Sequence, residues 1–376
     1  MGKIKAALFD LDGTLFDTEG QYSVFWGRMA RRYRPDIPHL EDIIKGTTLT
    51  SIYANYFPDE DIQKEITKGL NEWEAQMTYE FVPGALEFIE DLKAHGVKCA
   101  VVTSSNREKM LSVARQRPEL DTLFDRILTS EDFTASKPAP DCYLQGAKVF
   151  DAQLDECVVF EDAFNGLQAG MSSGIFTVGV AISNPADTIR NYCHHVINDF
   201  THFSYNQVDV LAWLKNHDIP FECYHHPEGK TIEDAKLWWK EDGSEHCKNL
   251  FFRNHKGNQH YLVSFQCDHD MDIHDMEQRL KARLMAKGLN SPGKLSFASA
   301  ERMEKYLGLK PGSVSPFGLI NDKEHHVIFF LDSKLQESET LSFHPNDCRG
   351  TVVIRRTDLE KIIDILGNTF EYTELY

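Results

Sequence analysis

The amino-acid sequence predicts an α/β domain built on a parallel sheet, with an α-helical cap inserted after its first strand, followed by a separate mixed α+β domain. Three observations lead there. Over the first 200 or so residues, short apolar runs alternate with helical segments, the pattern of strands crossed by helices. From Asp17 to about Phe81 that alternation gives way to helical patterning throughout. Near residue 204 a polar stretch interrupts the chain, and the short strands beyond it follow a different rhythm. At 376 residues the chain is also long for one hydrophobic core. The expected boundaries are 1–204 for the first domain (core 1–17 and 82–204, cap 18–81) and 205–376 for the second.

The elements follow in order. Ala6–Phe9 is too short for a helix and reads as a buried strand; further strands are expected at Val97–Thr103, Arg126–Thr129, Val158–Phe160 and Phe176–Val180. The insert carries Trp26, Met29, Tyr33, Ile43, Ile44, Ile52 and Trp73 as apolar markers, and Pro83-Gly84 returns the chain to the core. Ser204-Tyr205-Asn206-Gln207 reads as a linker, and Val208, Val210, Leu211 and Leu214 open a fresh amphipathic helix. Strands are then expected at Asn249–Arg253, His260–Phe265, Val327–Leu331 and Thr351–Ile354.

Composition narrows the class. A hydrophobic content of 41% and a charged content of 26% are those of an ordinary globular protein. No apolar run approaches the roughly 18–20 residues of a membrane span, so a membrane is not an expected partner. Lys3 and Lys5 precede only a short apolar run ending on Asp10, which is no signal peptide. The eight cysteines contain no CxxC pair, which argues against a disulfide framework or a zinc site and points to a reducing cytoplasm. The net charge is −18, with 31 acidic against 19 basic residues up to residue 204 and 27 against 21 beyond it. Neither half has the basic balance of a general nucleic-acid binder, and DNA is not expected as a partner. Only Arg279, Lys281, Arg283, Lys287 and Lys294 form a local basic cluster.

The most informative stretch is Asp10-Leu11-Asp12-Gly13-Thr14, directly after the first strand. Two carboxylates so close are costly unless a cation neutralises them. Mg²⁺ fits that need, because it uses one or two carboxylates together with substrate phosphate. Three later signals end further strands or stiffen loops. Thr103-Ser104 offers hydroxyls to phosphate, Ser136-Lys137-Pro138-Ala139-Pro140-Asp141 holds a lysine in a proline-stiffened loop, and Glu161-Asp162 supplies two more carboxylates. In a parallel sheet all four can converge on one crevice at the strand ends.

These four signals, in this order over about residues 3–202, resemble the motifs of the haloacid dehalogenase (HAD) superfamily. The cap placement and KPxPD sequence look like its phosphoglycolate phosphatase and β-phosphoglucomutase branch. The resemblance implies a Rossmann-like core and phosphomonoester hydrolysis, with a small phosphorylated metabolite as substrate. It implies Asp10 as the nucleophile that becomes an aspartyl-phosphate, and Asp12 as the acid and base. Thr103, Ser104 and Lys137 would bind phosphate. Mg²⁺ would be held by Asp10, Asp162 and the Asp12 backbone carbonyl, with Glu161 as an auxiliary ligand. A sugar-phosphate mutase is the alternative. The histidine and the cap arginine that such mutases use are replaced here by Tyr22 and by Gly46-Thr47-Thr48-Leu49, which favours hydrolysis.

In the second half, the histidines and Cys247 fit none of the common zinc spacings, and Pro311 and Pro316 remove backbone donors that a phosphate-binding glycine loop would need. Taken together, Cys247-Lys248-Asn249-Leu250-Phe251-Phe252, the loop Leu307–Asp322 (LGLKPGSVSPFGLIND) and Phe343-His344-Pro345-Asn346-Asp347 resemble the YbaK/ProX family of trans-editing aminoacyl-tRNA deacylases, over about residues 207–370. The resemblance implies hydrolysis of mischarged tRNA(Pro), with alanyl-tRNA(Pro) as substrate and cysteinyl-tRNA(Pro) as the alternative. The tRNA(Pro) acceptor end is then the partner, and no cofactor is needed. It implies that Lys248 contacts the acceptor end with help from Asn249, that the loop of Gly312, Ser313, Ser315 and Pro316 positions the aminoacyl group and water through backbone carbonyls, and that His344 shapes the amino-acid pocket. Hydrolysis would be assisted by a terminal-adenosine hydroxyl, in keeping with the lack of an obvious nucleophile–base pair. The competing reading is a phosphatase carrying a non-catalytic tRNA-binding or regulatory module.

Overall fold

The computed structural model describes residues 3–229, 231–269 and 271–376. The chain divides into two compact units, one ending at Asn216 and the other beginning at His217. All eight cysteines are unpaired. Among the described residues no helix is long and apolar enough to cross a membrane.

The first unit is built on six strands: β1 (Ala6–Phe9), β2 (Lys98–Val102), β3 (Arg126–Leu128), β4 (Cys157–Glu161), β5 (Phe176–Val180) and β6 (His195–Ile197). They lie in the order β3-β2-β1-β4-β5-β6, and every pair is parallel. Sheets of this kind are covered by helices on both faces, so their strands read as continuous apolar runs; AALF and CVVFE are enclosed along their whole length. Side chains alternate between faces. Ala6 and Leu8 join Val102, Tyr143 and Val159 in one cluster. Phe9 instead stacks on Phe160, with ring centroids 4.6 Å apart, and meets Phe88, Phe124 and Phe200. Truncating Phe9 to alanine would cost about 3–5 kcal/mol. Phe9 is in register with Val101 on one side and Phe160 on the other, so β1, β2 and β4 end level with one another. That alignment builds the site.

The cap is helical, as expected, with helices Glu19–Tyr33, Leu40–Ile43, Leu49–Tyr56 and Glu60–Glu74. Phe25, Trp26, Ile44, Ile52, Phe57, Ile66 and Leu70 form its own core, flanked by Tyr22, Met29, Tyr33 and Trp73. Ile43, read as an apolar marker, is instead exposed. The two cap linkers run side by side, with Asp17 N donating to Glu80 O and Val82 N to Leu15 O.

The expected boundary near residue 204 is not where the units part. Helix Tyr205–Asn216, assigned from sequence to the second domain, belongs to the first unit. Asp209 accepts from Ile4 N at 3.1 Å, Asp91 accepts from Tyr205 N at 2.8 Å, and Asn216 donates to Asp155 O at 3.0 Å. The polar stretch that looked like a linker is tucked in, with Ser204 and Gln207 both buried.

The second unit has a mixed sheet of β7 (Glu222–His225), β8 (Glu245–Arg253), β9 (His260–Gln266), β10 (Ser296–Phe297), β11 (Val327–Asp332), β12 (Thr340–Phe343), β13 (Gly350–Arg355) and β14 (Phe370–Thr373). Its order is β14-β11-β9-β8-β12-β13-β7, with β10 paired to β8. Helix Ile273–Ala286 covers one side through Met276, Leu280 and Leu284, which pack with Phe252, Tyr261, Val263 and Phe330. β8 is the longest strand and carries the lysine singled out above.

Candidate active sites

At the carboxyl end of the first sheet, the four sequence signals supply one cluster. The Lys137 side chain is fully enclosed, its Nζ 2.5 Å from Asp10 Oδ1, 2.7 Å from Glu161 Oε1 and 3.3 Å from Val102 O. Burial opposes its charge, yet attraction to Asp10 and Glu161 holds the ammonium well above its ordinary value. Asp10, Glu161 and Asp162 bring carboxylate oxygens within 4.8 Å of one another. Burial pushes the Asp10 carboxyl well up despite Lys137, with Glu161 and Asp162 adding repulsion. Asp162 is raised in the same way, by burial first and then by Glu161 and Glu19.

Three buried carboxylates beside one ammonium leave the cluster two negative charges in excess, which is a divalent cation's worth. The donor set agrees. Asp162 Oδ1 accepts from Thr14 Oγ1 at 3.0 Å, and its enclosed Oδ2 lies in the turn that also holds the Ser183 hydroxyl. Gly13 has φ +78°, and a Cβ there would lie 2.1 Å from Asp162 Oδ2, so this turn keeps the space beside that oxygen clear. Glu161 is also held by its own neighbours. Its Oε1 accepts from Lys137 and Tyr143, and its Oε2 from the Asp162 and Ala163 backbone amides at 2.9 and 3.1 Å. A carboxylate has about four acceptor positions. Glu161 thus anchors Lys137 and the turn, and its carboxylate also lies with Asp10 and Asp162 in the group of three whose oxygens could hold a metal.

Asp12 stands apart from that trio. Its Oδ1 accepts from Thr18 Oγ1 at 2.8 Å, and its Oδ2 from Ser105 Oγ at 3.2 Å and from the Lys109 ammonium. Lys109, which sequence reading missed, is buried with its Nζ 4.5 Å from the centre of the Tyr22 ring. Thr103 Oγ1 accepts from Ser105 N at 3.0 Å, and Ser104 Oγ donates to Gly46 O in the cap at 3.1 Å. Thr48 N reaches Ser136 Oγ, and Asn165 Nδ2 donates to Lys45 O, so the cap loop is tied to the core on three sides. Between cap and core lies a cavity of ≈ 570 Å³, a size that suits a small molecule, lined by Asp10, Asp12, Thr103 and Ser104 among others.

The second unit holds a cavity of ≈ 420 Å³ lined by Lys248, Asn249, Gly312 and His344, among others. Asn249 Oδ1 accepts from Ser264 Oγ at 2.6 Å, which fixes its amide. His344 Nδ1 faces Gly350 O at 3.2 Å, and burial, reinforced by His226, pushes its pKa down. A neutral ring that donates through Nδ1 leaves Nε2 as an acceptor. Gly312 has φ +95°, a backbone state that suits glycine. The side chains in the rest of that loop are engaged within the protein. Ser315 is fully buried and caps the turn Pro316–Asn321, accepting from Phe317 N at 3.3 Å; Pro316 is buried with it. The Ser313 hydroxyl bonds the Cys348 thiol. These three shape the loop, and its cavity-facing residues are Pro311, Gly312 and Val314.

Two further expectations change. A hydroxyl–imidazole pair does line the cavity: Ser342 Oγ and His246 Nδ1 are 2.7 Å apart, register partners on β12 and β8, with the His246 ring stacked on Trp239. Cys247 also lines it, but burial pushes its thiol well above the ordinary value, which removes it as a thiolate nucleophile. The basic cluster is largely neutralised. Arg279 pairs with Asp275 and Glu374, and Arg283 and Lys287 both pair with Glu371.

Comparison with known proteins agrees with both halves. The sequence model of the haloacid dehalogenase-like hydrolases matches residues 7–180, and that of the aminoacyl-tRNA editing domain matches residues 226–362. The prolyl-tRNA editing protein ProX of Acetoanaerobium sticklandii is 38% identical over 166 residues, 44% of this chain and 95% of that protein. Hexitol phosphatase A of Escherichia coli is 31% identical over 203 residues, 50% of this chain and 87% of that protein. A HAD hydrolase of family IA, variant 3, from Entamoeba histolytica shares the fold of the first unit, with a TM-score of 0.50 and 24% identity, covering 56% of this chain and all of that one. The chain therefore belongs to the haloacid dehalogenase-like hydrolases through its first half and to the aminoacyl-tRNA editing domain family through its second.

Proposed function

We propose that the first unit hydrolyses phosphomonoesters through an aspartyl-phosphate on Asp10, and that the second clears mischarged tRNA(Pro), with alanyl-tRNA(Pro) as its substrate. The two units then act as separate hydrolase domains. For the first, the supporting observation is the enclosed Lys137 bridging Asp10 and Glu161 beside the buried Asp162 carboxylate. Lys137 engages Asp10 Oδ1, which leaves Oδ2 to attack phosphorus. As the P–O ester bond breaks, Asp12 gives its proton to the leaving oxygen; it then takes a proton from the water that attacks the aspartyl-phosphate, releasing phosphate and restoring Asp10. Thr103 and Ser104 hydrogen-bond the phosphoryl oxygens, with the Lys137 charge close by. Mg²⁺, which Asp10, Asp162 and the Asp12 carbonyl would hold with Glu161 as an auxiliary ligand, would supply charge neutralisation for the phosphoryl oxygens. Among the described residues no arginine lines this cavity, which favours hydrolysis over a mutase reaction. Phosphate release measured against added Mg²⁺, in the protein and in Asp10→Asn, tests this: the variant should release none.

For the second unit, the support is a cavity in which a half-buried lysine, a glycine turn and a neutral histidine converge. Lys248 would engage the acceptor end, and His344 Nε2 would accept from the substrate's α-amino group. An aminoacyl ester is already activated, so positioning alone can supply much of the rate. Selection against proline would be steric, at the Gly312 loop, because attraction separates similar apolar groups only weakly. Deacylation of alanyl-, cysteinyl- and prolyl-tRNA(Pro) side by side tests the choice. Rapid cleavage of the first and slow cleavage of the last is expected, while cleavage of the cysteinyl ester alone would reassign the substrate.

A further inference from the structure

The cavity of the second unit is edged by an aromatic ring that the fold leaves largely uncovered. Phe297 lines that cavity and is 55% exposed. It sits on the short strand β10 as the register partner of Phe252, and the two rings stack with centroids 4.7 Å apart. Phe252 is fully buried, and Ala298 N donates to Phe251 O at 2.9 Å, so one side of the Phe297 ring rests on the core while the strand pins its backbone. A lone exposed aromatic is ordinary on a protein surface. This one is fixed in place and shares a strand face with the cavity's lysine. Lys248, Leu250 and Phe252 alternate onto one face of β8, and the four-residue step from Lys248 to Phe252 spans about 13 Å.

The cations around it differ from the neutralised cluster of Arg279, Arg283 and Lys287. Lys294, on the segment leading into β10, and Lys310, next to the lining residue Pro311, are both exposed. Neither they nor Lys248 have a carboxylate partner among the described residues. Against them stand Glu233, the one lining carboxylate among the described residues, and Glu301 and Glu304 on helix Ala300–Leu307. Such a balance suits a few phosphates rather than a long polyanion. A fixed ring flanked by unpaired lysines is the combination that holds single-stranded nucleic acid, with bases stacked on the aromatic face and phosphates against the cations. The distance of about 13 Å from Lys248 corresponds to a few nucleotides of strand. Building on the deacylase reading above, we propose that Phe297, Lys294 and Lys310 form a docking surface outside the aminoacyl pocket for the unpaired 3′ strand of the substrate RNA, with one base stacked on the Phe297 ring and phosphates held by the two lysines.

The test uses the full chain and 5′-labelled, uncharged tRNA(Pro), intact or lacking its CCA end, titrated by fluorescence anisotropy at several salt concentrations. Phe297→Leu should weaken binding of the intact RNA about tenfold, the effect of one lost base stack, and Phe297→Trp should restore it. The RNA lacking its CCA end should bind the wild-type protein and Phe297→Leu alike. Lys294→Ala and Lys310→Ala should each reduce the slope of log affinity against log salt by about 0.7, whereas Phe297→Leu should leave that slope unchanged. In single-turnover deacylation of alanyl-tRNA(Pro), Phe297→Leu should raise the protein concentration giving half the maximal rate by the same factor, with the saturating rate kept within about twofold. Unchanged binding of the intact RNA in Phe297→Leu, or an equal loss on both RNAs, assigns the ring to another partner and overturns the proposal; deacylation by the wild-type protein would then leave the deacylase reading standing. A wild-type protein that leaves both alanyl- and cysteinyl-tRNA(Pro) at the spontaneous rate of hydrolysis overturns that reading and the proposal with it.

Discussion

Replacing Lys137 with methionine removes the cation enclosed between Asp10 and Glu161. The ammonium lies 2.5 Å from Asp10 and 2.7 Å from Glu161, and both carboxylates are buried. Glu161 would keep Tyr143 and two backbone amides, but Asp10 would lose its counter-charge while Asp162 remains beside it. Breaking a buried pair by deleting one partner costs about 3–5 kcal/mol. In a unit of this size each kcal/mol lowers the melting temperature by about 2–4 °C, so the expected fall is about 6–20 °C. Calorimetry of the full chain in EDTA reads the shift, and phosphate release reads the function, which should drop to background. A fall of less than about 2 °C would refute the reasoning, because it would mean the carboxylates do not depend on Lys137 for compensation.

Other expectations follow from individual contacts. Ser342→Ala should leave deacylation within about threefold, since the Ser342–His246 pair is read as a cross-strand contact; a loss of several orders of magnitude in single-turnover deacylation would make Ser342 a nucleophile. His260 is buried against His326 and Arg302, and burial first, then those neighbours, lowers its pKa to about 4. A depressed histidine contributes stability that is present above its unfolded value of about 6.5 and lost as pH falls toward 4. The second unit should therefore melt earlier at pH 5 than at pH 7, and His260→Gln should flatten that slope in thermal scans. Gly13→Ala should abolish phosphate release, because its Cβ would displace the Asp162 carboxylate from a turn at φ +78°; wild-type rates in this variant would show that the turn tolerates the shift.

Much of this was legible because chemistry and strand ends coincide in the chain. Asp10, Thr103 and Glu161-Asp162 each directly follow or close a buried apolar run, so a parallel sheet brings them together whatever the details of its helices. Lys109 and Glu74 were not legible. Each is an ordinary charged residue within a helical pattern, and only the packing of cap on core turns it toward the cavity. The boundary was misread because Ser204 and Gln207 look like linker residues, yet both are buried in the first unit. Arg279, Arg283 and Lys287 looked like an uncompensated basic face because Glu371 and Glu374 lie some ninety residues away in sequence. Strands β7, β10, β12 and β14 have only two to four residues each, too few to show a period.

The central claim is that one chain carries two independent hydrolytic sites. The most direct measurement assays phosphate release and alanyl-tRNA(Pro) deacylation together in the full chain, in Asp10→Asn and in Lys248→Ala, each with Mg²⁺ and with EDTA. Asp10→Asn and EDTA should silence phosphate release and leave deacylation intact, while Lys248→Ala should do the reverse. A parallel loss of both activities in either variant would contradict the account.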